Sequence, residues 1–138
     1  MKSYRASTTI NASRDVVWKI LTDASGYPNW DMTMDHIEGK LSLGETVKFY
    51  TKLSPNAFPV KVTTFEHGTK VVLTGGMPLG LFKSERMHTL TTADTGKTLF
   101  TTEEVFSGLL VPLFAKNIPD LTENFRGFVE ALKKQAEK

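Results

Sequence analysis

The period of the apolar residues changes along this 138-residue chain, and that change bounds what it can fold into. Apart from one short segment, apolar side chains up to about residue 107 recur at every second position, in runs broken by glycine, proline and asparagine. From residue 118 onward they recur at every third or fourth position. The first repeat marks strands with one buried face, and the second marks an amphipathic helix. A chain with seven strand-like runs and one long terminal helix must curl its sheet around that helix.

The first run covers residues 2–11, with Tyr4, Ala6, Thr8 and Ile10 on one face. Ser13 then stands where a helix N-cap belongs, with Asp15 in the first turn, and Val17, Trp18, Ile20 and Leu21 make a short amphipathic helix over 14–22. Gly26-Tyr27-Pro28 breaks it, and Tyr27 to Asp31 is either a loop or one further helical turn. Strands are expected near 36–38, 45–53, 60–66, 70–75, 82–92 and 98–107. Three glycines and a proline between Gly75 and Gly80 predict a bulged loop that cannot pair continuously. At the C-terminus Ile118, Leu121, Phe125, Phe128, Val129, Leu132 and Ala136 form one stripe. Pro119 suits the first turn of this helix, but the favoured reading is a continuous helix from about residue 112, kinked at Pro119.

Composition excludes several functions. The apolar and charged fractions, 40% and 23%, are those of a soluble globular protein, read here as one domain over 1–138. The chain has no cysteine, which removes disulfides, thiolate nucleophiles and thiolate metal sites together. No apolar run approaches the 18 residues that would suggest a membrane span, and residues 1–5 begin no signal-peptide pattern, so a cytoplasmic protein is expected. The net charge of +2 is scattered, and its one cluster, Lys133, Lys134 and Lys138, opposes the helix dipole, so no nucleic-acid partner is expected. His36, His67 and His88 lie on separate segments without ligand spacing, and no metal, cofactor or catalytic residue is assigned. Nothing in the pattern specifies an oligomeric state.

The segment ASTTINASRDVVWKILTDASGYPNW, residues 6–30, and the segment GKTLFTTEEVFSGLLVPLF, residues 96–114, resemble the START-like, or SRPBCC, superfamily with its helix-grip fold. Within it the chain is most similar to bacterial proteins of the polyketide cyclase/dehydrase type and to carbon-monoxide-dehydrogenase subunit-like proteins. The resemblance covers the whole chain. It implies an α+β fold, a seven-stranded curved antiparallel sheet wrapped around a long C-terminal helix, with two short helices after the first strand. It also implies a cavity between sheet and helix for a lipid, polyketide or other small apolar ligand.

Alternation places Val47, Phe49, Thr51 and Leu53 on the concave face, with Phe100, Thr102, Glu104 and Phe106 on the last strand. Leu113, Phe114, Leu121, Phe125 and Phe128 face them from the helix, with Trp30 beside the turn. Such an aromatic stripe is either packed core or cavity lining, and the resemblance favours the cavity. Met77, Leu79, Leu81 and Phe82 are candidates for an apolar lip at its mouth, or for a bulge at a sheet corner.

The turn Asp94-Thr95-Gly96 fits a three-residue hairpin loop and predicts that Ala93 pairs with Lys97, Leu90 with Phe100, His88 with Thr102, and Arg86 with Glu104. Arg86, His88, Thr102 and Glu104 then make a polar patch on an otherwise apolar face. Arg86 suits two-point engagement of the Glu104 carboxylate, and His88 is a hydrogen-bond donor or an acid–base group. The patch is either a structural ion pair with a satisfied histidine or an anchor for a ligand carbonyl or hydroxyl. Three functions follow: a binding or carrier protein for a small apolar ligand; a cyclase or dehydratase in which His88, aided by Glu104, moves protons; or a module whose groove takes a protein segment.

Overall fold

In a computed structural model, residues 2–52, 57–77, 79–114 and 121–138 are described, with the side chains of all but Met77, Leu113 and Phe114. The chain runs β1 (Lys2–Ile10), α1 (Arg14–Thr22), a 3-10 turn (Ala24–Asn29), β2 (Met34–Glu38), β3 (Thr46–Thr51), β4 (Phe58–Glu66), β5 (Lys70–Met77), β6 (Phe82–Asp94), β7 (Lys97–Ser107), α2 (Val111–Phe114) and α3 (Thr122–Ala136). The seven strands form one antiparallel sheet in the order β1-β7-β6-β5-β4-β3-β2. The α+β helix-grip layout inferred from the sequence is therefore the one observed.

The local signals act as their chemistry requires. The Ser13 side chain accepts a hydrogen bond from the Val16 N–H and opens α1. Tyr27 and Trp30 frame the 3-10 turn, and the Tyr27 hydroxyl donates to the Leu21 carbonyl, tying the turn to the end of α1. In β1 alternate residues are half-buried, ending at fully buried Ile10. Register carries that inner face across the sheet in rows. Tyr4 lies beside Glu104, Glu104 beside Arg86, and Arg86 beside Leu73; the next row is Ala6, Thr102, His88 and Val71.

Three expectations are corrected. The run from Gly75 does pair: Gly75 faces Ser84, Gly76 faces Lys83 and Met77 faces Phe82. Lacking a side chain, Gly76 takes φ 129° and lets the Phe82 carbonyl approach where a Cβ would stand, so glycine here permits pairing instead of ending it. At the β6–β7 turn Asp94, not Ala93, faces Lys97, with a register shift between Thr92 and Asp94 and Gly96 at φ 73°. From Thr92 inward the pairing is as expected. The continuous helix from residue 112 is replaced by the single turn α2 and by α3, which begins at Thr122 with Leu121 as its cap. Leu53, Ile118 and Pro119 lie outside the described residues.

The sheet and helices share one apolar core. Val17, Trp18 and Leu21 of α1 meet Phe128, Val129 and Leu132 of α3 and Ile10, Leu90 and Phe100 of the sheet. The side chain of Thr98, fully buried, donates to the Ala12 carbonyl and closes this end of the structure.

Candidate functional site

Beyond that core, sheet and α3 separate around two adjoining chambers that share Phe49, Arg86, Glu104 and Leu121. The apolar chamber, about 410 Å³, is walled by Phe58, Val60, Leu73, Phe82 and Phe106, with Ser84. The polar chamber, about 160 Å³, is bounded by Tyr27, Asp31, Thr51, His88, Phe125 and Phe128 among others. A wider depression of about 550 Å³ lies over Lys61, Thr63, Thr74, Gly76 and Lys83. These residues alternate with the cavity-facing ones, so it opens mainly on the opposite side of the sheet, with Val60 and Phe82 bordering both it and the apolar chamber.

Arg86 stands where the chambers join. Its Nη1 lies 3.7 Å from Glu104 Oε2, and its Nε donates to the Thr102 hydroxyl at 3.3 Å. The guanidinium also packs over the rings of Phe125, at 4.4 Å, and Phe128, at 4.8 Å. The expected two-point clasp of Glu104 is thus replaced by one long ion-pair contact, because the planar cation is drawn onto the aromatic face of α3. Both side chains keep some exposure, 25% for Arg86 and 17% for Glu104.

His88 is 3% exposed and lies between the rings of Phe100, 5.7 Å away, and Phe128, 5.3 Å away. Burial, and secondarily the Arg86 charge, hold its imidazole well below the ordinary 6.5, so it is neutral near pH 7. Burial raises the Glu104 carboxyl, with Arg86 partly offsetting it. Burial also pushes the Tyr27 phenol up, against the pull of Arg86. Asp31, buried as well, accepts from the Thr33 amide at 3.0 Å and the Thr33 hydroxyl at 2.7 Å. Among the described residues two buried side-chain polar atoms lack a protein partner, His88 Nδ1 and Thr51 Oγ1, and both residues line the polar chamber.

Most of the residues expected at the site converge on it. Phe49, Arg86, Glu104 and Leu121 border both chambers, Phe82 and Phe106 the apolar one, and His88 and Phe125 the polar one. Thr102 stands behind Arg86 and holds it, and Phe100, fully buried, backs His88. Trp30, 6% exposed, borders neither chamber: its ring supports Tyr27 at 4.7 Å and Phe128 at 5.5 Å. The side chains of Met77, Leu113 and Phe114 lie outside the described ones. Tyr27, Asp31 and Leu73 are lining residues that pattern reasoning left out. Tyr27 carried a usable signal, since a buried tyrosine needs a partner for its hydroxyl. Asp31 reads in sequence only as a capping residue, and only the packing of its turn against β2 and α1 brings it to the polar chamber.

A curled antiparallel sheet gripping a C-terminal helix, with a partly polar hollow between them, defines a START-like domain of the helix-grip class. The chain belongs to the polyketide cyclase/dehydrase and lipid transport family, whose model matches residues 1–137. Solved structures agree on the fold. The Zhui aromatase/cyclase from a Streptomyces species superposes with a TM-score of 0.76 at 13% identity, over 99% of this chain and 93% of that one. A hypothetical protein from Helicobacter pylori gives 0.77 at 15%, over 98% and 88%. A START superfamily protein from Mycobacterium smegmatis gives 0.71 at 14%, over 98% and 97%. No curated protein matches the chain by sequence. Among the described residues, no helix is long and apolar enough to cross a membrane.

Proposed function

We propose that this protein binds and carries a small, mostly apolar molecule in the hollow between sheet and α3, orienting it through Arg86, His88 and Glu104. One observation supports this above the rest. A space of about 410 Å³ walled by aromatic and aliphatic side chains opens onto a charged pair inside the fold. Pockets for small ligands combine such an apolar lining with a few placed polar groups. Burial of the ligand's apolar surface supplies the affinity, and the polar groups set its direction. A cyclase or dehydratase using His88 as a base with Glu104 behind it is less well supported. Glu104 pairs with Arg86, and a buried imidazole held well below 6.5 is a weak proton acceptor at neutral pH.

The test uses Nile red, a neutral dye that brightens in apolar surroundings, with native mass spectrometry of the purified protein. The dye binds the native protein. Ser84→Phe, which fills the apolar chamber from β6, abolishes that binding while thermal unfolding stays cooperative. Dye binding unchanged by Ser84→Phe, or no binding by the native protein, overturns the reading.

A further inference from the structure

We infer that the polar chamber receives the head of this ligand, and that the head is uncharged and both accepts and donates hydrogen bonds: a hydroxyl, phenol or enol in preference to a carboxylate. This rests on the binding reading above and adds the chemistry of the bound end.

The chamber already holds two carboxylates against one cation. Its ionisable groups among the described residues are Arg86, Glu104, Asp31, His88 and Tyr27. Arg86 is the one cation in that set, because the imidazole is neutral near pH 7. Burial lowers the pKa of Arg86, and the charges of Glu104, at 3.7 Å, and of Asp31 oppose that. A carboxylate head would bring a third negative charge to a single guanidinium whose face is covered by Phe125 and Phe128. A charge placed in such surroundings without a counter-ion is costly.

The unpaired hydrogen-bonding groups call for the opposite kind of head. His88 Nδ1 and Thr51 Oγ1 are buried without a partner, an arrangement that costs free energy until something fills it. A hydroxyl both donates and accepts, and a neutral imidazole offers one donor and one acceptor nitrogen. An alcohol or phenol can therefore answer His88 Nδ1 in either tautomer and the Thr51 hydroxyl in either direction, whereas a carboxylate can only accept. The chamber, about 160 Å³, holds a head of a few atoms, and the apolar chamber beside it takes the rest of the molecule.

Decanol and decanoate, which share a tail length, are compared at pH 8 by displacement of Nile red. Decanol should compete at a concentration about tenfold lower than decanoate, the effect of one to two buried hydrogen bonds. Thr51→Val and His88→Phe, each close in shape to the native side chain, should weaken decanol several-fold without weakening decanoate. Unfolding temperatures should hold or rise, since each variant removes an orphaned polar atom. The two are measured separately, so a failure to fold in one leaves the other to decide. Decanoate binding as tightly as decanol overturns the inference, as does decanol binding that neither variant weakens. Dye binding that decanol cannot displace also overturns it and leaves the binding reading standing. Absence of dye binding overturns the binding reading itself.

Discussion

The two ends of the inner sheet face carry the same alternation and reach opposite outcomes. At one end Leu90, Phe100 and Ile10 are fully buried beneath Val17 and Leu21 of α1 and Leu132 of α3. At the other, Phe49, Phe82 and Leu121 stay half-buried around open space. The side chains are no smaller at the open end. Among the described residues, what differs is cover: α1 packs over the first region, whereas the second is faced by Leu121 at the start of α3. A sheet face becomes core or cavity according to what stands opposite it.

The largest effect that tests this contrast is at the closed end. Phe100→Ala should cost about 3–5 kcal/mol, since neighbours on every side cannot collapse into the gap. Urea unfolding shows it as a lower midpoint with an unchanged slope. Phe49→Ala at the open end should cost less, about 2 kcal/mol, because that half-buried ring borders the apolar chamber and its removal adds little enclosed cavity. Equal losses at the two positions would break the comparison, for they would mean the region around Phe49 is as tightly filled as that around Phe100.

The smallest effect concerns pH. The folded state holds His88 neutral, while the unfolded chain takes up a proton near the ordinary 6.5. Between the folded and unfolded values the unfolded state binds more protons, so stability is lost as pH falls below 6.5. His88→Phe should flatten this part of the stability–pH curve. An unchanged slope in the variant would show that the imidazole is not shielded as its position between Phe100 and Phe128 requires.

Much of the site was legible before the fold. The placing of Arg86 opposite Glu104 and His88 opposite Thr102 follows from a turn signal and counting in twos. That count survives although the hairpin tip differs by one residue, because the shift is absorbed between Thr92 and Asp94. The glycine run and the terminal helix were less legible. Absence of a side chain is compatible with a broken strand and with a close-packed one, and only the neighbouring Phe82 carbonyl selects the second at Gly76. A proline likewise permits a kink or a new beginning, and α3 starts at Thr122 without a side-chain cap that the sequence could have announced.

The amino-acid order by itself determined the strand count, the cap of α1, the pairing of β6 with β7 and which side chains turn inward. These depend on local periods and turn chemistry that act within a few residues. Only the tertiary structure decided that the inward side chains near Phe49 stop short of α3, that Arg86 lies on aromatic rings instead of clasping Glu104, and that Asp31 joins the polar chamber. Alternation says which way a side chain points, but the distance to the opposite wall depends on how separate elements come together.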